Sequence, residues 1–474
     1  MKRLILLAAV LAFVLGMASM ASAATIKASG QWALEFLFSD NFDMNDTDSK
    51  DGDGDFNVYQ RARTQFDFIA NENLKGVLAT EIGTTRWGDP DGFHFHDHNA
   101  SINVRRAYLD FMIPDTKIAV RGGLQGITLP VSYGTGNMIL DTEMPALVVS
   151  APIIDEVSVL AGYGRLYDYD NASSTSGEGS SAFDTGFLAV PVKLDGFNFA
   201  PYFVYAYAGE RALNGMVDSA SNAATKSDYQ RILAGLIGPG YTVKGGLNAY
   251  WAGTNFTMTY FDPIKVMADV AYGAANGAGG DENERSGWMV DLAVDYTGLD
   301  FMTPEVFFAY TSGENDDTSD GSERMPALMS RNWGIGASTF FGNDPLLKGD
   351  HGFYNEQLGF WAAGLSLKNI SFVDKLSHDF TVFYAQGTND EKTANMKNGG
   401  IKLVKYGQSL TEEDSIVEFD LNNSYKLYDE LTFMVNFGYI INDYDEDTWT
   451  KAGYANAKDD SDAFKLSTGF MYSF

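Results

Sequence analysis

Four arginines, Arg61, Arg63, Arg106 and Arg121, fall on the polar phase of alternating stretches. Within residues 58–68, Val58, Ala62, Phe66 and Phe68 share one face, and Arg61, Arg63, Gln65 and Asp67 share the other. Within residues 106–111, Ala107, Leu109 and Phe111 oppose Arg106, Tyr108 and Asp110. Such alternation is the mark of a strand, whose side-chain period is two. A guanidinium stays charged at any physiological pH, so these residues suit a fixed positive wall rather than acid–base work. Three of the strands are close in sequence order, so their arginines can form a ladder. The plainer reading pairs each arginine with a nearby acid.

His94, His96 and His98 occupy alternate positions in Phe-His-Phe-His-Asp-His. If extended, the three imidazoles share one face, a pattern that can bind Zn, Ni or Cu. A polar rim beside Trp87 is the preferred reading, and no metal is assigned to them. Asp51-Gly-Asp-Gly-Asp55 invites calcium, but an EF-hand loop needs Gly and Glu where this chain has Phe56 and Ala62. A looser loop-bound Ca2+ site and a solvated acidic turn are both open. No other cofactor is indicated. The chain has no G-x-S-x-G, H-E-x-x-H, Walker or Rossmann pattern, and five histidines in all. It reads as a non-enzyme.

The elements that must hold these residues are strands. The last eleven residues put Phe464, Leu466, Thr468, Phe470, Tyr472 and Phe474 on one face, and Lys465, Ser467, Gly469, Met471 and Ser473 on the other. A terminus is usually polar and frayed, so this one is expected to be paired in a sheet. Tight turns recur at Asn71-Glu72-Asn73-Leu74, Pro114-Asp115, 153–155, Asp195-Gly196, Gly238-Pro239-Gly240, Asp262-Pro263 and Gly298-Leu299-Asp300. Between those hairpins lie longer polar stretches, among them 40–55, 168–181, 209–227, 274–285, 312–329, 387–411 and 442–460. Short turns at one end and long loops at the other are the habit of a transmembrane antiparallel β-barrel, with turns periplasmic and loops extracellular. Counting hairpins gives 16–20 strands, with 18 as the centre.

Met1-Lys2-Arg3, the apolar run 4–18 and Ala21-Ser22-Ala23 form a secretory signal peptide over residues 1–23. Residues 24–474 then read as one barrel domain. No later run is long and apolar enough for a membrane helix, so a chain that spans a membrane must do so as a closed barrel. The net charge of −30 argues against nucleic acid as a partner. It favours a weak preference for cations, which arginines at a narrow point can weaken or reverse. Arg105 falls on the phase opposite Arg106, where it faces lipid unless a bulge or a subunit interface covers it.

The signal peptide, an opening strand at Thr25-Ile-Lys-Ala-Ser-Gly-Gln-Trp, the unequal loops and the Phe474 end make the chain resemble the outer-membrane homotrimeric porins. These are similar in architecture to the general-diffusion porins of Gram-negative bacteria. The resemblance implies a homotrimer in outer-membrane lipid and passive diffusion of small hydrophilic solutes and ions. It also implies that Phe464, Phe470, Tyr472 and Phe474 belong to the signal read by the barrel-insertion machinery. A third long loop folded into the lumen is implied at residues 126–143, with Asp141 and Glu143 as acids facing the basic group of Arg61, Arg63, Arg106 and Arg121. Alternatives are a substrate-specific outer-membrane channel, a non-conducting structural or adhesive surface barrel, and a soluble exported β protein.

Overall fold

The computed structural model describes residues 24–41, 55–90, 92–94, 101–169, 180–219, 232, 235–236, 245–277, 284–317, 319–330, 334–335, 338, 341, 346–347, 359–398, 401–402, 404–454 and 462–474. The signal-peptide segment, residues 51–54, His96 and His98 lie outside them. Eighteen antiparallel strands close into one ring. They are β1 (Thr25–Asp40), β2 (Asp55–Asn71), β3 (Leu74–Arg86), β4 (Ile102–Met112), β5 (Ala119–Thr128), β6 (Leu140–Pro152), β7 (Ser158–Asp168), β8 (Ala182–Ala189, continued by Val192–Leu194) and β9 (Phe197–Ala208). The ring continues through β10 (Leu247–Phe261), β11 (Ile264–Gly277), β12 (Glu284–Tyr296), β13 (Thr303–Thr311), β14 (Phe360–Val373), β15 (Leu376–Gly387), β16 (Ser415–Lys426), β17 (Leu431–Asp443) and β18 (Ala463–Ser473). Among the described residues, no helix is long and apolar enough to cross a membrane.

β18 pairs with β1 from Gln31↔Ser473 to Asp40↔Phe464, which closes the ring and leaves no edge. The phase read from the sequence holds. Phe470, Tyr472 and Phe474 point outward and are exposed, while Lys465 and Ser467 point inward and are buried. Outward aromatics gather at both ends. Tyr260 and Phe261, Phe301 and Phe372, and Tyr472 and Phe474 form ring pairs at the short-turn end. Phe38 and Phe56, Tyr272 and Trp288, and Trp361 and Tyr384 do so at the long-loop end. Exposed Leu292, Val306 and Leu421 lie between. Two aromatic girdles around an apolar band are the surface a barrel presents to lipid.

The hairpin expected around Gly238-Pro239-Gly240 needs correction: the turn lies outside the described residues, and before it Ile232, Gly235 and Leu236 are helical rather than extended. Ile232 and Leu236 are four apart and both buried, the spacing of one helix face. After that turn, Leu247–Phe261 is one unbroken strand, β10. The eighteen strands of the ring match the centre of the expected range.

Candidate functional site

Residues 125–144 leave the barrel wall on both sides. β5 pairs with β4 only as far as Ala107↔Leu124, and β6 pairs with β7 only from Ala146↔Gly164 downward. Above those points β5 and β6 pair with each other, out to Thr128↔Asp141. Gly123 permits the departure. Its φ is +132°, and a Cβ there would sit 2.4 Å from the Ala107 carbonyl oxygen. The hairpin tip reaches the wall several strands away. Asp269 on β11 accepts the Ser132 N–H at 2.9 Å and the Tyr133 N–H at 2.7 Å. Asn255 and Thr257 on β10 each donate to the Ser132 hydroxyl at 2.9 Å. The Tyr133 ring packs 6.0 Å from Phe307 on β13. Burial, with Glu305, Asp291 and Asp295 nearby, raises the pKa of the Tyr133 hydroxyl and keeps it neutral.

The wall beneath the hairpin root is basic. Arg63 donates to Glu81 at 2.5 Å, and Arg121 donates to Asp110 at 2.9 Å while lying 4.9 Å over the Tyr108 ring. Lys75 pairs with Asp67 at 3.2 Å. The register of β3 and β4 shifts between Ala79 and Thr80, opposite Arg105 and Arg106. This bulge turns Arg105 away from lipid: it contacts Glu81 at 3.2 Å and also pairs with Glu143. Arg106 reaches Glu143 at 3.3 Å. Glu143 therefore ties the hairpin to the basic wall by direct ion pairs and does not face it across a gap. Asp141 accepts a hydrogen bond from Thr128 on the same hairpin at 2.7 Å. Arg61 points inward and is buried.

Water reaches one side of the lumen far more than the other. The side chains of Arg121, Arg106 and Arg63 are 43%, 36% and 33% exposed. Inward residues high on the opposite wall, such as Val204, Trp251 and Ala309, are fully buried under loops. Lower on that wall, Lys368 bridges Asp295 at 2.9 Å and Glu305 at 2.6 Å. At the loop end, Asp414 accepts hydrogen bonds from the Thr411 and Asp445 N–H groups and from the Trp449 indole. Burial pushes its carboxyl up to about 6 against those bonds.

No family model matches the chain, and no curated protein matches it. It is similar to the solved structure of OpdQ from Pseudomonas aeruginosa, with a TM-score of 0.50 at 12% identity over 95% of this chain and 98% of that one. The chain shares the barrel fold of OpdQ. A double variant of OccD1 (OprD) gives a TM-score of 0.50 at 13% identity, covering 96% of this chain and 97% of that one. The outer membrane protein OprD from Pseudomonas aeruginosa gives 0.48 at 13% identity over 96% of each chain.

Within this barrel, the hairpin brings Arg105, Arg106 and Glu143 into one cluster and leaves Arg121 with Asp110 further down the wall. His94 lies in the segment after β3, apart from that cluster in the chain. Among the described residues, no group of three or more His, Asp or Glu side chains is arranged to hold a metal. The inward acids Asp269, Asp291, Asp295 and Glu305 were not singled out from the sequence. Their signal was present: Asp291 and Asp295 stand on one phase of an otherwise apolar strand, Val-Asp-Leu-Ala-Val-Asp-Tyr.

Proposed function

We propose that the protein is a channel of the Gram-negative outer membrane, selective for small hydrophilic solutes that carry an anionic group. The observation that carries this reading is the one-sided lumen. Loops fill the upper part of the wall from β9 to β13, so a permeating solute passes the arginines of β2, β4 and β5. A guanidinium fork binds carboxylate or phosphate more tightly than water does, and a narrow path with weak successive contacts favours passage of the solute that makes them. Solute identity is therefore set by a track rather than by size alone, which supports a substrate-specific channel over general diffusion.

The total charge of −30 points the other way, but much of it sits in loops outside this path. At 0.1 M salt, charges more than about 10 Å from the solute are screened, so the wall it touches governs selectivity. The pore runs through a single closed ring, so the reading does not require the homotrimer that general porins imply. Recording from the purified protein in a planar bilayer is the test. Small carboxylates should block the ionic current saturably, and neutral solutes of the same size should not. Steady conductance with no such difference would favour general diffusion, and no conductance would favour a plugged surface barrel.

The terminal strand supports membrane assembly on this reading. The Gly30 N–H donates to the Phe474 carbonyl at 2.9 Å, the Phe474 N–H donates back at 3.1 Å, and its ring meets Trp32 edge-on. Deleting Phe474 should lower the amount of heat-modifiable barrel in the membrane while leaving single-channel conductance of the assembled fraction unchanged. Normal assembly of that deletion would remove Phe474 from the insertion signal.

A further inference from the structure

We propose that Arg285 and Trp251 are positioning residues that set the width of the pore by holding residues 324–330 as a strap across the hairpin's free edge. The inference rests on the channel reading above. Arg285 is on β12 and Trp251 on β10, both inward and almost fully buried. Arg285 Nε donates to the Arg324 carbonyl at 2.9 Å, and Arg285 Nη2 donates to the Met325 carbonyl at 2.9 Å. Trp251 Nε1 donates to the Pro326 carbonyl at 2.7 Å. Three consecutive strap carbonyls are thus held by wall side chains. A guanidinium reaches two of them at once through its rigid fork, which a lysine ammonium does not reproduce. Upstream, Ser286 and Ser322 are tied through the backbone, the Ser286 N–H donating to the Ser322 carbonyl at 2.8 Å.

The strap then turns to the hairpin. The Leu328 N–H donates to the Ile139 carbonyl at 3.0 Å, and Met329 and Ser330 lie parallel to Leu140 and Asp141. Those hairpin residues have lost β7, which pairs with β6 only from Ala146 downward. An unpaired strand edge carries open N–H and C=O groups and shifts readily unless something covers it. The strap covers it, and Arg285 and Trp251 fix the strap to the wall. The hairpin is then held on two sides, by Glu143 toward the arginines and by the strap toward β10 and β12.

The chain has no cysteine, so an introduced pair can report on and restore this contact. The experiment compares single-channel conductance and the largest permeating neutral solute in four proteins. They are the native sequence, Arg285→Met with Trp251→Phe, and each of these carrying Met329→Cys with Leu140→Cys, reduced and oxidised. Loosening the strap should raise conductance about twofold and admit larger solutes, because a pore's selectivity follows its narrowest section. Oxidising the cysteine pair in the loosened protein should return both readings to native values. Native conductance and solute limit in the loosened protein would overturn the proposal. So would a rise that oxidation leaves untouched, since a merely structural defect is not repaired by one strap-to-hairpin link. If the double replacement yields no heat-modifiable barrel, Trp251→Phe alone is read by the same criteria. A native protein that never conducts counts against the channel reading, and is seen before any variant is compared.

Discussion

Replacing Arg63, Arg106 and Arg121 together with glutamine should turn an anion-preferring channel into a cation-preferring one. The wall and its bulge carry the partly exposed Arg63, Arg105, Arg106, Arg121 and Lys75, with the buried Arg61, against Asp67, Glu81, Asp110 and Glu143. With three guanidiniums gone, the carboxylates are in excess along the same path. A unit charge 4 Å from a passing ion is worth about 1 kcal/mol in bulk water and about 4 kcal/mol at an effective dielectric of 20. Even the smaller figure, taken three times, changes a permeability ratio by more than about tenfold, since about 1.4 kcal/mol is a factor of ten. The reversal potential in a KCl gradient should change sign. Lysine at the same three positions keeps the charge and should keep the sign, while weakening block by carboxylates because the planar fork is lost. An unchanged reversal potential in the glutamine protein would mean that ions pass elsewhere.

Asp269→Ala should release the hairpin tip and widen the pore. The Asp269 carboxylate accepts from Ser132 and Tyr133, and the alanine leaves both donors without it, Tyr133 in a buried place and Ser132 in a partly buried one. Each such orphaned donor costs about 1–3 kcal/mol, enough to shift the tip from held to mobile. The barrel itself is secured by its strand ladders and should melt as before. Conductance should rise by about twofold or more with increased current noise, because the narrowest section is no longer fixed. Asp269→Asn keeps one side-chain acceptor and should fall between the two. Unchanged conductance and noise in the alanine protein would show that the other contacts, among them Asn255, Thr257 and Phe307, hold the tip without Asp269.

The barrel was largely legible because strand phase is a local property. The alternation at Phe464–Phe474 and at residues 58–68 set which face is outward, and the unequal loops set which end is which. In β9 the two phases are hard to tell apart by sequence for a physical reason. Its inward face holds Ala200, Tyr202, Val204 and Ala206, apolar because the folded-in loops, rather than water, cover it. A loop folded into the lumen at residues 126–143, with Asp141 and Glu143 facing Arg61, Arg63, Arg106 and Arg121, is the expectation; Glu143 does reach Arg106, whereas its contact with Arg105 is not legible in the sequence. Glu143 pairs with the bulged Arg105, and a bulge depends on cross-strand register that a single strand does not reveal. The strap was hidden in a long polar loop, although Met325-Pro-Ala-Leu-Met329 is an apolar run within it. The helical Ile232, Gly235 and Leu236 are not legible in the sequence because apolar residues fit either period over so short a stretch.

Solutes should pass one by one along the arginine wall. This is read most directly in the single-channel current of the native protein against increasing concentrations of a small carboxylate and of its neutral, equal-sized amide. The carboxylate should block saturably, with block lost in the Arg63, Arg106 and Arg121 glutamine protein, and the amide should give no saturable block. Equal effects of the two solutes, or carboxylate block that survives loss of the three arginines, would contradict passage along this wall.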